Sequence, residues 1–427
     1  MRFKTLPEWL QWQEELHFTK VDPGLARIGQ VWKRLAGSSN LPFTVVTVAG
    51  TNGKGSSVAM LASILYEAGY KVGTYTSPHL LEYNERICIN NIPCDDELIC
   101  HSFDRIDTAR DEISLTYFEF ATLAAVDIFC EQKIDIAILE VGMGGRLDAT
   151  NLFDCDIALI TPISLDHTTW LGTDCEQIGA EKAGIIRKKM PVVCSQSSPP
   201  QSILNYAKSL QAPVYQSGKD FEFVAEGDHQ WQWKSHNNKL NNLALPALVG
   251  SYQLQNSAAV LQVVELLIDR HKYTISKAQI SSGLQFVKLA GRFQQIAGDV
   301  EQIFDVTHNQ QGAQNLAKLL TEMPCEGRTI AVLAMLKDKD PRAVIKELQT
   351  SIDNWYVAGL EGSRGMTSEA LASVLAETIP QSNIIQKEQV IEAYKTALKD
   401  AVTGDRILVL GSFLTVEAVM KLRLRSL

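Results

Sequence analysis

Apolar residues fall along this chain in short runs separated by longer amphipathic stretches. Phe43 to Val48, Ile134 to Val141, Ile157 to Thr161, Pro191 to Cys194 and Pro213 to Tyr215 are runs of strand length. Such runs, alternating with helical patterns, predict parallel strands covered by helices. The first run enters a glycine-rich loop, and the segment after it places Val58, Leu61, Ile64, Leu65 and Ala68 on one helical face before Gly69 closes it. Between about Phe221 and Pro246 the pattern changes to a rough alternation around Gln230-Trp231-Gln232-Trp233-Lys234, which predicts a small antiparallel subregion on the rim. Trp231 and Trp233 read there as core or rim packing rather than ligand stacking. A second α/β series follows, with strands at Val300 to Val306, Thr329 to Met335, Trp355 to Gly359 and Arg406 to Gly411. The change of series predicts two domains, residues 1–288 and 289–427. The basic tail with Lys421, Arg423 and Arg425 reads as a solvated helix face.

Size agrees with two domains, since 427 residues exceed the roughly 250–300 at which single cores stop growing. The net charge of −9 argues against a nucleic-acid partner, which would meet a basic face. It does not exclude anionic small molecules, because a local cation cluster can hold them on an acidic protein. No apolar run approaches the ~18 residues needed to span a bilayer, and the start lacks the apolar core of a signal peptide. The eight cysteines contain no CxxC pair, so neither a zinc site nor a disulfide framework is indicated, and a reducing, cytoplasmic setting is expected.

The strongest chemical signal is Ala49-Gly50-Thr51-Asn52-Gly53-Lys54-Gly55-Ser56 between the first strand and its helix. Glycines let successive N–H groups face an anion, and the helix N-terminus adds its positive end. Lys54 is placed to reach outer phosphates, and the Ser56 hydroxyl can serve a magnesium ion. The spacing departs from the common phosphate-loop pattern: Val48 stands where the first glycine would be, and Gly55 separates Lys54 from Ser56.

Three further residues sit where open parallel sheets bind ligands, past the carboxyl ends of strands. Glu140 closes an apolar strand, where a lone buried carboxylate is costly unless it serves a metal or catalysis. His167 follows another strand, and Ser77 follows Val72-Gly73-Thr74-Tyr75-Thr76. Read alone, Lys182 is a solvated helix charge, Asn256 a helix N-cap, and Tyr117-Phe118 an aromatic pair of the core.

The phosphate loop, Ile64-Leu65 and Gly69 resemble the folate branch of the Mur ligase family, and the order of motifs resembles its bacterial bifunctional synthases over nearly the whole chain. The resemblance implies a P-loop-type, mainly parallel ATPase domain with a small antiparallel subregion, plus a smaller Rossmann-like α/β domain. It implies ATP as cosubstrate, held by Gly53, Lys54, Gly55, Ser56, Asn256, Arg292 and Asp305. Two magnesium ions are implied, one on Ser56 and Glu140, a second on Ser77, Glu140 and His167, with Lys182 carbamylated. Lys54, Lys182, His167 and Arg292 would carry the catalysis. A pteroate site is implied at Lys20, Val21, Asp22 and Pro23, at Thr116, Tyr117, Phe118 and Glu119, and at Arg146, Leu147 and Asp148. His308 matches a family histidine, although Thr307 and Gln310 replace the family's usual alanine and proline. The implied activity joins L-glutamate to dihydropteroate and to reduced folates at the expense of ATP, as a monomer and without nucleic acid or membrane. A monofunctional folylpolyglutamate synthase, a peptidoglycan-type Mur ligase, and a P-loop kinase or nucleotide switch remain as alternatives.

Overall fold

A computed structural model of the chain describes residues 1–38, 40–227 and 229–424, which form two helix-covered sheets in sequence. The strands of the first are β1 (Thr44–Ala49), β2 (Val72–Tyr75), β3 (Ile87–Ile89), β4 (Ile92–Pro93), β5 (Ile136–Glu140), β6 (Ile157–Ile160), β7 (Val192–Cys194) and β8 (Val214–Gln216). Their spatial order is β4-β3-β2-β5-β1-β6-β7-β8, parallel from β2 to β8 with an antiparallel edge at β3 and β4. That edge was not visible in the hydrophobic pattern, because strands so short carry no readable period.

The long apolar runs arise because both faces of the sheet are buried. Val45 and Ala49 of β1 and Leu139 of β5 face one core, with helices Leu6–Leu16, Ala26–Ala36 and Tyr117–Glu131. Val46, Val48 and Ile138 face the other, under helices Lys54–Glu67 and Ser251–His271. The antiparallel subregion is a three-stranded meander, β9 (Phe221–Glu226), β10 (Gln230–Ser235) and β11 (Lys239–Ala244). Its tryptophans belong to the core: Trp231 and Trp233 are fully buried, and the Trp233 indole N–H donates to the Ala258 carbonyl at 3.0 Å.

The second sheet holds β12 (Gln294–Ile296), β13 (Glu301–Phe304), β14 (Thr329–Leu333), β15 (Asn354–Gly359), β16 (Ile384–Gln389) and β17 (Arg406–Leu410), in the order β12-β13-β17-β14-β15-β16. Only β12 is antiparallel. Val287 packs in the first domain's core and Phe293 in the second's, so the chain crosses between them over a few residues. Gly291 sits in that crossing at φ 69°, where a Cβ would approach Val306 to 3.0 Å and Leu80 to 3.1 Å. The tail is less solvated than expected. Arg423 donates to Gln302 at 2.5 Å, and Lys421 pairs with Glu417 at 2.8 Å, while Arg425 lies outside the described residues. Among the described residues, no helix is long and apolar enough to cross a membrane.

Candidate active site

The carboxyl ends of β1, β2, β5 and β6 open on one edge, and the loops there face the second domain. The phosphate loop leaves β1 and turns at two glycines that tolerate no side chain. A Cβ on Gly50 would lie 1.7 Å from Thr161 Oγ1, and one on Gly53, at φ 90°, 2.6 Å from Asn256 Oδ1. The helix starts at Lys54, so the N–H groups of Lys54, Gly55 and Ser56 have no intrahelical acceptor and face the cleft mouth. Lys54 Nζ bridges the loop, donating to the Gly50 and Thr51 carbonyls, each at 3.2 Å.

Asn256 is not an N-cap. It lies well inside helix Ser251–His271, buried, and forms the floor under Gly53 rather than a wall of the cleft. Its amide donates to Gln253, whose own amide donates to Ser56 Oγ at 3.2 Å. Gly53→Ala is therefore expected to distort the loop through both the left-handed backbone, worth roughly 1–2 kcal/mol, and the collision with Asn256. Titration of ATP should show kcat/KM reduced roughly 10- to 100-fold, since 1.4 kcal/mol is tenfold and the collision adds to the strain. Thermal melting should move by only a few degrees.

A narrow cleft of about 170 Å³ joins this loop to Ser77, Glu140, His167, Lys182, Arg292 and Asp305. Glu140 is 5% exposed and accepts the Ser77 N–H at 3.2 Å. Burial raises its pKa, and the charges of Lys54 and Arg292 pull it back. His167 is the αL-configured residue before helix Thr168–Leu171. Burial pushes its pKa down to about 4, with Lys339 and Lys54 adding to the depression and Asp166 opposing it, so the imidazole is neutral at physiological pH. Lys182 is not a solvated charge. It is fully buried, its Nζ donates to the Gly50 carbonyl at 2.7 Å, and burial with the nearby Lys54 lowers its pKa to about 7. The glycine run after β5 explains that burial: a Cβ on Gly145 would lie 3.0 Å from Lys182 Cα.

These groups suit a divalent cation in kind: a buried carboxylate, a neutral imidazole and hydroxyls. Among the described residues, no three His, Cys, Asp or Glu side chains converge as a ready-made cage. An ion here would complete its shell with hydroxyls and further oxygen donors beyond these side chains.

Arg292 comes from the domain crossing, its guanidinium carbon 5.1 Å from the Phe413 ring centre. Asp305, at the end of β13, holds that crossing in place by accepting the Phe293 N–H at 2.7 Å and the Thr307 N–H at 2.8 Å. The two domains are pinned by a network that the sequence did not reveal. Asp166 accepts Lys339 Nζ at 2.6 Å, lies 3.4 Å from His308 Nε2 and accepts from Asn309 at 3.3 Å. Burial alone would raise the Asp166 pKa, but His308, His167 and Lys339 hold it well below the carboxylate range. Asn52 of the phosphate loop donates to Asn309 and Gln311 across the same junction. His308 Nδ1 donates to the Val306 carbonyl at 2.8 Å, and helix Gln310–Glu322 is capped by Asn309, so Thr307 and Gln310 do not disturb the turn.

The cleft opens into a larger cavity of about 660 Å³, within the range of small-molecule sites. Lys20, Val21, Asp22 and Pro23, Thr116, Phe118 and Glu119, and Arg146, Leu147 and Asp148 all line it. Tyr117 does not: it packs against Tyr83 and Arg86 behind the wall. Glu119 and Thr116 form the capping box of helix Tyr117–Glu131, and Arg27 ties Glu119 to Asp22. Asp148 is buried and accepts from Met143 N–H, Thr150 N–H and Thr150 Oγ1.

Comparison with known proteins agrees on one family. The Mur ligase middle domain matches residues 48–264, and the Mur ligase glutamate ligase domain matches residues 291–413. The chain is 41% identical over 416 residues to the dihydrofolate synthase/folylpolyglutamate synthase of Escherichia coli, covering 97% of this chain and 95% of that one. Its structure is similar to E. coli FolC in complex with DHPP and ADP, with a TM-score of 0.92, 40% identity and coverage of 99% and 98%. It is also similar to a bifunctional folylpolyglutamate synthase/dihydrofolate synthase with Mn, AMPPNP and L-glutamate bound, at TM-score 0.90, 40% identity and 98% coverage of each chain.

Proposed function

The chain belongs to the Mur ligase family, and from that premise we propose that it is an ATP-dependent ligase joining L-glutamate to dihydropteroate and to folate glutamates. The observation that carries this reading is a single cleft lined by the phosphate loop with Lys54 and by Glu140 from one domain and by Arg292 and Asp305 from the other. Cations from both domains line it, beside a cavity sized for an aromatic acceptor.

An acceptor carboxylate oxygen attacks the γ-phosphorus of ATP, the bond to ADP breaks, and an acyl phosphate forms. The amine of L-glutamate then attacks the acyl carbon, inorganic phosphate leaves, and the nitrogen loses a proton. The phosphate-loop N–H groups and Lys54 orient and neutralise the phosphates. Arg292 adds charge from the second domain, and the Asp166 network holds that domain closed so that water does not reach the acyl phosphate. Bound divalent ions would supply further neutralisation: Ser56 and Glu140 for one, Ser77, Glu140, His167 and a carbamylated Lys182 for a second. Asn256 acts from beneath, by setting the loop. The cavity residues from Lys20 to Pro23, Thr116 to Glu119 and Arg146 to Asp148 hold the pteroate, with Tyr117 acting through its neighbours.

We place the domain division at residue 288/289, supported by the change of core between Val287 and Phe293. We take a monomer as the working unit, since the phosphate loop, Glu140, Arg292 and Asp305 that this reaction needs all belong to one chain. The eight free thiols support a cytoplasmic setting.

The test is phosphate release. With dihydropteroate and ATP, release should require L-glutamate and match amide formation. Equal release without glutamate would make the chain a nucleotidase or a nucleotide switch, and ATP consumption without free phosphate would make it a kinase. Turnover only on acceptors already carrying glutamate would make it monofunctional.

A further inference from the structure

Arg86 is the one buried cation of the larger cavity that has no carboxylate partner among the described residues. The cavity's other basic side chains are engaged or exposed: Arg146 pairs with Glu181, Lys339 with Asp166, Arg364 with Asp338, and Lys20 faces solvent. Arg86 is 9% exposed. Its Nε–H donates to His79 Nδ1 at 2.8 Å, and its guanidinium carbon lies 5.6 Å from the Tyr83 ring centre and 5.5 Å from that of Tyr117. Arginine offers five N–H donors and no acceptor, so His79 must present a bare Nδ1 and carry its proton on Nε2. Two aromatic faces and one imidazole fix the guanidinium plane but do not neutralise it. A buried charge left in that condition is costly, and the terminal nitrogens, which find no acceptor among the described residues, form the fork that matches a carboxylate.

We propose that Arg86, held by His79, Tyr83 and Tyr117, is a carboxylate subsite that takes the α-carboxylate of the terminal glutamyl residue of a pteroyl-glutamate acceptor. This rests on the ligase reading above and adds to it how one cavity serves two acceptors. Dihydropteroate has a single carboxylate, and the reaction consumes it. A folate ends in glutamate: its γ-carboxylate is the one activated, and its α-carboxylate stays anionic a short alkyl chain away. Arg86 stands where that second anion falls. The Arg86 backbone is tied next to Ser77, its carbonyl accepting the Thr76 N–H at 2.9 Å, and Arg86 and Ser77 line the same cavity. Thr116, Phe118 and Glu119 line that cavity too.

The test compares wild type, Arg86→Lys and Arg86→Met with two acceptors, dihydropteroate and tetrahydropteroyl-monoglutamate. Loss of a charge-assisted, bidentate contact should raise KM for the monoglutamate roughly 10- to 100-fold in Arg86→Met, while KM for dihydropteroate moves by a small factor. Arg86→Lys, which keeps the charge but not the fork, should fall between. A change in kcat shared by both acceptors is expected, because Arg86 also bears on Glu140. Equal rises in KM for both acceptors would overturn the proposal, as would a rise confined to L-glutamate in both reactions, or no rise at all. If Arg86→Met fails to fold, Arg86→Lys carries the same requirement. Should the wild type not use dihydropteroate at all, the bifunctional reading fails instead. The subsite is then judged by whether Arg86→Lys lowers the preference for binding pteroylglutamate over pteroate in the presence of ADP.

Discussion

Lys54→Ala is expected to reduce product formation by roughly 10³-fold or more while leaving a folded protein, because removal of one preorganised donor from a transition-state site already costs about 10²–10³ and here a full charge goes with it. Lys54 has two roles in the structure. Its ammonium bridges the Gly50 and Thr51 carbonyls and so shapes the loop, and its charge lowers the pKa of Glu140 against the effect of burial. The second role gives the variant a pH signature. Glu140 already has a raised folded-state pKa, so its contribution to stability is present below the unfolded value and is lost as pH rises through the folded one. Without Lys54 that pKa rises further. The variant should therefore melt nearly with the wild type in acid and fall progressively below it toward neutral pH. Melting curves of both proteins at several pH values, beside steady-state turnover, check this. Retained turnover, or a melting deficit that grows toward acid, would refute the assignment.

The residues legible in the sequence were those whose role coincides with a local pattern. Glu140 could be placed because a carboxylate ending an apolar strand has few structural uses, and the phosphate loop because its chemistry lies within a few consecutive residues. Lys182 could not be read as buried from its own helix, where Glu176, Gln177 and Glu181 surround it. Its burial comes from the glycine run at Gly142 to Gly145, which lets another segment pack onto the helix backbone. The aromatic pair Tyr117-Phe118 divides in the same way: Phe118 faces the cavity against Gly142, and Tyr117 turns to support Arg86. The Asp166–Lys339 contact joins residues 173 positions apart, and Arg86 meets Tyr117 from a separate element. Neither leaves a periodic trace. The parallel strands themselves did, because each strand with both faces buried is a continuous apolar run, whereas their spatial order left no such mark and the β3–β4 edge was too brief to see.

Lys182→Ala should lose activity by about two to three orders of magnitude, as expected when a group that completes a charged catalytic site is removed. Part of the loss should return when acetate or another short carboxylate is added. The structural reason is the state of the amine. Burial, with Lys54 nearby, brings its pKa to about 7 from 10.5, so a large fraction is uncharged near neutrality. An uncharged amine reacts with carbon dioxide: the nitrogen lone pair forms the N–C bond, a proton is released, and an anionic oxygen donor replaces a cation. That exchange suits the cleft, where a cation fully buried beside Lys54 is otherwise unfavourable. The same shift predicts a stability effect whose sign can be worked out. A lysine whose folded pKa lies below its unfolded value binds fewer protons folded than unfolded between about 7 and 10.5, so stability rises with pH across that window. Lys182→Met, which keeps the hydrophobic stem, should flatten that rise. Wild-type activity should decline in buffers stripped of carbon dioxide and recover on adding bicarbonate, and the Lys182→Ala variant should respond to short carboxylates but not to bicarbonate. An alanine variant that turns over normally without carbon dioxide would remove the carbamate from the mechanism. One that no carboxylate rescues would leave Lys182 as a structural prop for the Gly50 carbonyl.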